Sequence, residues 1–254
     1  TVNDREVVDH NKSEKKTKAF LNENNSKNIL IPGFIAQDED GNTTTLGRGG
    51  SDLTSSLLAN YSNADQLEIW TDVSGMFTAH PKLVSQAIPI SNLSYREAME
   101  LSHFGAKVIY PPTLQPLIDK NIPVIIKNTF EKNAKGTLIN ADGASFLDGY
   151  TVKGISHIED VALISLEGSG MIGIPGFSKR FFECLSNKQI NIIMITQASS
   201  EHSICIGVNS KDSAMAKKAI DDNFAFEISV QKVNPAKIEL DMTNIAVVGD
   251  RMKD

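Results

Sequence analysis

The hydrophobic and polar positions in the first half of the chain change their period from one short segment to the next. Runs of mostly apolar residues, which are typical of buried strands, lie at 29–36, 67–70 and 124–127. Between them, apolar residues recur at helical spacing in the segments 52–61, 95–104 and 113–120. Strands that alternate with helices predict an α/β fold with a parallel sheet.

A second set of elements follows the segment 133–150. That segment is poor in aliphatic side chains and carries three glycines, which predicts a domain boundary. After it the pattern predicts the order β-α-β-β-α-β, with strands at 161–166, 190–195, 203–208 and 226–230. The helices are expected on the stripe of Phe177, Phe181, Phe182 and Leu185, and at 213–224. This order is the split βαβ arrangement, which hosts many functions.

Composition and charge mainly exclude classes of partner. The 254 residues include 25 basic and 31 acidic side chains, a formal net charge of −6 with a pI near 5.4, so we expect neither nucleic acid nor a membrane as partner. No apolar run reaches the roughly 18 to 20 residues of a membrane-spanning helix. The two cysteines and the histidines lack metal-ligand spacing, which predicts reduced thiols, no metal site and a cytoplasmic location. Small molecules are the expected ligands.

The first segment with candidate chemistry is glycine-rich and leads directly into a helix. Its sequence is Thr43-Thr-Thr-Leu-Gly-Arg-Gly-Gly-Ser-Asp52. Free N–H groups at a helix N-terminus favour an anion, and the glycines let that anion approach the main chain. Arg48 adds a planar guanidinium that pairs with a carboxylate or phosphate through two hydrogen bonds. The pattern alone leaves open a tight turn that only begins the helix.

A polar pair, Thr71 and Asp72, follows the strand at 67–70. Ligands of open α/β sheets bind beyond the carboxyl ends of the strands, so this pair is suited to contact a ribose or a metal-bound phosphate. Lys82 and Lys107 are candidates for neutralising phosphate charge. Each lysine alone is more often a solvated surface charge, and only their combination with the glycine-rich segment favours a phosphate site.

A third candidate segment is the polar turn that starts at Ile195-Thr-Gln197. In the expected fold it neighbours the glycine-rich turn at 168–177. Backbone donors and the Gln197 amide there are suited to hold a small amino acid. The alternative is a plain hairpin.

The motifs of the chain resemble those of one family, in the same order and at the same spacing. Similarity to the carboxyl-terminal half of an aspartate kinase is carried by Gly33-Phe-Ile-Ala36, the segment 43–52, Glu68-Ile-Trp-Thr-Asp72, Tyr95-Arg-Glu-Ala-Met-Glu-Leu101, Phe104-Gly-Ala-Lys-Val108 and Ile126-Lys-Asn128. Residues 153–208 resemble the first ACT regulatory domain, most closely that of bifunctional aspartokinase–homoserine dehydrogenases.

The resemblance implies an α/β fold class with two domains. The carboxyl-terminal part of an amino-acid-kinase-type open sheet is expected over residues 1–140. A ferredoxin-like βαββαβ ACT domain is expected over residues 150–232, and residues 243–254 are expected to start a truncated second ACT domain.

The activity implied by the resemblance is ATP-dependent phosphorylation of the side-chain carboxylate of L-aspartate, with Mg²⁺, the first step toward lysine, threonine and methionine. A carboxylate with a pKa of about 4 is already ionised at neutral pH, so catalysis needs positioning and cations and no general base. By resemblance, Arg48 binds the α-carboxylate of aspartate, and Ser51 and Asp52 complete its pocket. The implied nucleotide contacts are Thr71, Asp72, Phe77, Lys82 and Lys107.

Several features depart from the family pattern. Phe77 stands where the family commonly has Tyr, and Lys82 where it has Arg, which removes a hydroxyl and a guanidinium fork. The family's amino-terminal Lys-Phe-Gly-Gly-Thr-Ser segment, which supplies a phosphate-contacting lysine, does not occur in this sequence. The sequence starts without Met and stops just after an apolar strand signal. We therefore expect a piece of a longer protein that is inactive alone.

For regulation, the resemblance implies threonine or lysine as effector. The implied contacts are Ile195 and Gln197, with an opposite wall from Gly173 to Phe177. ACT domains usually bind amino acids between two units, which implies a homodimer or a larger homo-oligomer. The alternative function is a stand-alone amino-acid-binding ACT-type module without kinase activity. A glutamate kinase relative is disfavoured, because such enzymes lack the ACT-like second half.

Overall fold

The computed structural model describes residues 7–103, 108–143, 151–197 and 202–249 of the chain. The chain forms two compact units. The first unit takes residues 1–157 together with 245–254, and the second takes residues 158–244. Each unit has a hydrophobic core of its own, as expected of separate domains.

The first unit contains a small hairpin, a four-stranded sheet and surrounding helices. In chain order its elements are α1 (His10–Glu23), β1 (Ile35–Gln37), β2 (Thr43–Thr45), α2 (Gly50–Ser62), β3 (Leu67–Thr71), β4 (Asn92–Ser94), α3 (Tyr95–His103), α4 (Gln115–Ile118), β5 (Val124–Asn128) and β6 (Thr137–Asn140). β1 pairs with β2, and the sheet has the order β3-β5-β6-β4. β3 is parallel to β5 and β4 to β6, but β5 and β6 are antiparallel, so the sheet is mixed where the sequence predicts a parallel one.

β6 lies inside the segment 133–150 that the sequence predicts as a domain boundary. Thr137 and Ile139 are fully buried, and they alternate with partly exposed neighbours. A four-residue strand is too short for this alternation to be recognised among glycines and polar residues. Pairing with β5 and β4 places it inside the sheet.

A capping box fixes the start of α3. The hydroxyl of Ser94 accepts a hydrogen bond from the N–H of Glu97 at 3.0 Å, and the Glu97 carboxylate accepts one from the N–H of Ser94 at 2.9 Å. This reciprocal pair satisfies two donors that a helix start otherwise leaves without partners. The helix then buries Ala98 and Leu101 in the core of the first unit.

The long loop between β3 and β4 is fastened to β6 through one buried hydroxyl. Thr137 Oγ1 accepts a hydrogen bond from the N–H of Met76 at 2.8 Å and donates one to the carbonyl of Ile90 at 2.6 Å. The N–H of Ile90 in turn donates to the carbonyl of Met76 at 2.8 Å. Since Met76 and Thr137 are both fully buried, the base of the loop is closed away from solvent.

The second unit is built on a four-stranded sheet in the order β10-β7-β9-β8. Its elements are β7 (Gly154–Glu167), α5 (Phe177–Ser186), β8 (Ile192–Thr196), β9 (Ser203–Asn209), α6 (Ser213–Asn223), α7 (Ala225–Ser229) and β10 (Lys237–Val248). β7 begins and β10 ends within residues assigned to the first unit. β9 is antiparallel to both β7 and β8, and the apolar faces of α5 and α6 join the core. The element order is that of a βαββαβ domain.

The prediction of a strand at 226–230 is wrong. α7 occupies this segment, and the N–H of Ile228 donates to the carbonyl of Phe224 at 2.9 Å. The segment reads Phe226-Glu-Ile-Ser-Val230, and an alternating pattern of only five residues does not distinguish a strand from a short helix. β10 supplies the final strand instead and runs unbroken through residues 243–248. That residues 243–254 begin a second ACT domain stays a prediction.

Within the described ranges, none of the helices combines the length and the apolar character needed to cross a membrane. The same part of the chain has no group of three or more histidine, cysteine, aspartate or glutamate side chains that could hold a metal ion.

An ion pair joins α5 to α7. The guanidinium of Arg180 contacts the carboxylate of Glu227 at 2.5 Å and donates to the carbonyl of Asn223 at 2.8 Å. It also lies over the ring of Phe224, 4.5 Å from the ring centroid. The hydrogen bond from Arg180 lowers the pKa of Glu227. A lowered carboxyl pKa stabilises the fold above the unfolded-state pKa, and this contribution is lost as the pH falls through the folded-state pKa.

We expect Glu227→Gln to lower the free energy of unfolding at pH 7 by about 1 kcal/mol. The difference from the parent should shrink as the pH falls through the lowered pKa of Glu227, and urea denaturation at several pH values measures it. Glu239→Gln is the matched control, because its pair with Lys237 is exposed on both sides, at 49% and 72%. Equal losses in the two variants would contradict the role assigned to Arg180 and Glu227.

We also expect Thr137→Val to lower the free energy of unfolding by about 1 to 3 kcal/mol, because it leaves a buried N–H and a buried carbonyl with fewer partners. Thr113→Val is the control. Thr113 is equally buried, and its hydroxyl has no hydrogen-bond partner among the described residues. Urea denaturation compares the two, and a loss of the same size in Thr113→Val would refute the anchoring role of Thr137.

Candidate functional site

The glycine-rich segment turns the chain from the β1–β2 hairpin into α2. Gly47 and Gly49 both adopt φ of +69°, the left-handed conformation that favours glycine. The N–H of Gly50 donates to the carbonyl of Gly47 at 3.1 Å, which closes the turn at the start of the helix. The N-cap residue Gly49 makes no side-chain cap. N–H groups of the first turn are therefore left for a ligand or solvent. We call residues 47–52 the α2 cradle.

Two aromatic rings pack against the backbone of the α2 cradle. A Cβ atom on Gly49 would lie 2.5 Å from the ring of Tyr110, and one on Gly50 would lie 2.9 Å from the ring of Phe34. Both distances are shorter than real Cβ contacts, so larger residues would displace the rings. The cradle therefore gets its shape from glycine and ring packing, without a capping side chain.

The three side chains predicted for the amino-acid pocket extend from the α2 cradle. Arg48 and Ser51 are exposed, and within the described residues Arg48 has no hydrogen bond or ion pair. Asp52 is partly buried, and its carboxylate has no partner in the same ranges. Burial raises the pKa of Asp52, since it disfavours the charged form. A free cation and a partly desolvated carboxylate on one turn suit a ligand that carries both a carboxylate and an ammonium group.

Thr71 and Asp72 lie at the carboxyl end of β3, beside the end of β5. The two strands are parallel, and their register pairs Thr71 with Asn128. The hydroxyl of Thr71 donates to the carboxylate of Asp72 at 3.2 Å, and its carbonyl accepts from the N–H of Thr129 at 2.8 Å. Two parallel strands therefore end at one edge of the sheet, where open α/β sheets bind their ligands.

Polar side chains that carry little signal in the sequence organise this edge. Asn128, only 6% exposed, donates through Nδ2 to the hydroxyl of Ser74 at 2.8 Å. Ser74 donates to the carboxylate of Glu131 at 2.7 Å. These partners are more than fifty residues apart in the chain, so their spacing alone could not reveal them. The one available signal was the position of Asn128 at the end of a buried strand.

The remaining predicted nucleotide residues are spread more widely. Phe77 is partly buried, pairs with Pro89 in an isolated bridge, and follows the anchored Met76. Lys82 is exposed, and its backbone N–H donates to Nδ1 of His80 at 3.3 Å. Lys107 lies outside the described residues. In the described part of the chain, no hydrogen bond or ion pair joins the α2 cradle to the end of β3.

In the second unit, three of the four predicted effector residues surround one cavity. Its volume is about 440 Å³, and its lining includes Gly173, Phe177 and Gln197. Ile195 is not part of this lining; its side chain is 57% exposed on β8, an edge strand of the sheet.

The start of α5 forms part of the wall of this cavity. Its N-cap residue Gly176 has φ of +84° and, like Gly49 at the N-cap of α2, provides no capping side chain. Met171 and Ile204 contribute apolar surface, and Lys179 contributes a cation. Free N–H groups beside a cation and an apolar floor suit the carboxylate and the side chain of a small amino acid.

Comparison with known families gives two matches. Residues 3–128 match the amino acid kinase family, and residues 164–224 match the ACT domain. The bifunctional aspartokinase/homoserine dehydrogenase of Haemophilus influenzae is 44% identical over 227 residues. That match covers 89% of this chain and 28% of the relative.

Solved aspartokinase structures match both halves of the chain. The aspartate kinase of Clostridium acetobutylicum has a TM-score of 0.81 at 30% identity, over 95% of this chain and 54% of that one. E. coli aspartokinase III in complex with aspartate and ADP has a TM-score of 0.77 at 27% identity, over 98% and 54%. Its complex with lysine and aspartate has a TM-score of 0.75 at 29% identity, over 97% and 54%.

This chain thus spans about half the length of the solved aspartokinases and less than a third of the bifunctional relative. The similarity extends over both units, with kinase and ACT matches in the order that the sequence predicts. The chain carries part of an amino acid kinase domain followed by an ACT domain, and over both it is similar to the aspartokinases.

Proposed function

We propose that the chain is part of an aspartate kinase that transfers the γ-phosphoryl group of ATP to the side-chain carboxylate of L-aspartate, giving β-aspartyl phosphate and ADP. The observation that carries this proposal is the α2 cradle, where the free guanidinium of Arg48 lies in a glycine-rich turn at an uncapped helix start. The aspartate and ADP bound to E. coli aspartokinase III support it.

Arg48 and the N-terminus of α2 would hold the α-carboxylate of aspartate. The guanidinium offers two parallel hydrogen bonds, and the helix start adds N–H donors and a positive field. The attacking carboxylate of aspartate is ionised at neutral pH, so its binding in line with the γ-phosphate is the main requirement. A general base has nothing to remove in this step.

Asp52 would bind the α-ammonium group of aspartate. Its carboxylate is partly buried and has no partner among the described residues, and burial raises its pKa. A bound ammonium group would supply the missing counter-charge and reverse that shift, because an opposite charge favours the ionised carboxyl. Ser51, the exposed residue before it, would complete this pocket.

The nucleotide would bind at the end of β3. Thr71 and Asp72 would contact its ribose and phosphates, with Phe77 along the loop and the cations Lys82 and Lys107 neutralising phosphate charge. Mg²⁺ would arrive as MgATP, held by phosphate oxygens and water, with the exposed carboxylate of Asp72 as the protein oxygen available at this edge. The cations and Mg²⁺ would then stabilise the charge that moves to ADP.

The cavity at the start of α5 would bind an amino-acid effector. The uncapped N-terminus of α5 and Lys179 would hold its carboxylate, and Gln197 would contact its polar groups. Threonine and lysine are the candidates, and lysine is bound by E. coli aspartokinase III in one of its solved structures. The positive charge of Lys179 in the lining would repel the ammonium group of a lysine side chain. The neutral side chain of threonine avoids this repulsion, so the lining favours threonine.

A homo-oligomer formed through the ACT domains is part of the proposal. Ile195 lies exposed on the edge strand β8, outside the cavity, which supports a contact with a second copy. A stand-alone sensor is disfavoured, because the kinase family match takes up residues 3–128. The cytoplasmic location and the inactivity of this chain alone stay predictions.

We expect L-aspartate to shift the backbone amide resonances of residues 47–52 in a ¹H–¹⁵N NMR titration of this chain. Arg48→Lys keeps the positive charge but loses the two parallel N–H donors of the guanidinium, so the dissociation constant for L-aspartate should rise about tenfold. Arg96→Lys, an exposed arginine on α3, is the matched control and should leave it unchanged. Aspartate binding that is insensitive to Arg48→Lys, or absent from these amides, would exclude the proposed pocket.

We expect Gln197→Ala to weaken binding of the effector by about three- to tenfold, the value of a lost amide hydrogen bond. Isothermal titration calorimetry with threonine, lysine and methionine measures the effect and identifies the effector. Gln115→Ala, at an exposed position on α4, is the control. Unchanged threonine and lysine affinity in Gln197→Ala would show that the effector binds elsewhere.

A further inference from the structure

An exposed aromatic ring stands on the loop that leaves the nucleotide edge of the first unit. Phe130 follows β5 by two residues, and its side chain is 81% exposed. Its ring has no aromatic or cationic partner among the described residues. Trp70, the exposed aromatic at the end of β3, differs, because Lys127 lies 4.9 Å from its ring centroid.

The backbone around Phe130 is held on both sides. Its N–H donates to Oδ1 of the buried Asn128 at 2.9 Å. The next residue, Glu131, accepts from the hydroxyl of Ser74 at 2.7 Å, which ties the loop to the segment after β3. The exposed ring is therefore attached to a backbone segment that hydrogen bonds hold in place on both sides.

Phe130 also lines an open depression of about 650 Å³ in the surface of this loop. Residues 130–134 form this lining, so Lys132 and Asn133 add polar groups to the aromatic wall. Thr71 is not part of this lining, but the N–H of Thr129, the neighbour of Phe130, donates to the carbonyl of Thr71 and so connects this loop to the end of β3.

We infer that Phe130 stacks on the adenine base of ATP and forms one wall of the base subsite. This inference rests on the proposed function, which puts ribose and phosphates at Thr71 and Asp72. A base beyond the ribose needs an apolar face for its ring and polar groups for its edge. The depression beside Phe130 offers both, and its loop is hydrogen-bonded through Thr129 to the residue that would contact the ribose.

Phe130→Ala tests the stacking. Calorimetry with MgATP should show at least about fivefold weaker binding than in the parent, the loss typical of one base stacked on an aromatic ring. Binding of magnesium tripolyphosphate, which has no base, should not change. Phe226→Ala is the matched control, because Phe226 is 73% exposed on α7 in the second unit.

Phe130→Trp supplies a second readout that does not depend on affinity. The indole keeps the stacking surface, so MgATP affinity should be retained and its fluorescence should be quenched by MgATP but not by magnesium tripolyphosphate. The parent contains a single tryptophan, Trp70, and its signal under the same titration gives the background.

Three results would overturn the inference in distinguishable ways. Equal MgATP affinity in the parent and in Phe130→Ala would remove the base subsite and leave the proposed function standing. Equal weakening of MgATP and magnesium tripolyphosphate would mean that the ring acts through the loop and does not contact a base. A parent that binds neither ligand would contradict the proposed nucleotide site together with the inference.

Discussion

The parallel pairing of β3 with β5 is the constraint on which the candidate nucleotide site depends. It brings two segments almost sixty residues apart to one edge, with Thr71 opposite Asn128 in the register. The hydrogen bond from Thr129 to the carbonyl of Thr71 extends the pairing beyond the strands, and Asn128 and Ser74 join the two loops that follow. Polar residues of both loops are thereby held above the same strand ends.

Elements with a strong local pattern could be predicted from the sequence. The apolar run of β5, the helix that starts at the capping box of Ser94 and Glu97, and the βαββαβ order of the second unit all appear in the structure. β6 was missed because it is short and flanked by glycine. The segment 226–230 was predicted as a strand because its short alternating pattern fits one. The hydrogen bond from the N–H of Ile228 to the carbonyl of Phe224 shows a helix instead.

The candidate site could be predicted only as far as its chemistry is local. The α2 cradle and the pair Thr71 and Asp72 carry their own signals, since a glycine-rich turn before a helix and polar residues after a strand are visible in the sequence. The residues that hold them are not visible in this way. Thr137 contacts Met76 across sixty-one positions of the chain, and only the folded sheet brings the two together.

Both units begin a helix in the same way at their candidate sites. α2 and α5 each have a glycine with positive φ as their N-cap residue, so neither helix start has a side-chain cap. The surroundings differ, because the ring of Tyr110 packs over Gly49, whereas nothing lies within 4 Å of the Cβ position of Gly176. The start of α2 is consequently shaped by packing, whereas the start of α5 is open toward its cavity.

The residues proposed to bind ligands differ from those that stabilise the fold. Arg48, Asp72 and Lys82 are exposed, so removing their charges should cost the fold little. Thr137 and Asn128 are buried and hydrogen-bonded, so changes there disturb the fold and the site together. A site of this kind suits electrostatic preorganisation by a rigid main chain, which is the form of catalysis that the proposed phosphoryl transfer to an already ionised carboxylate would require.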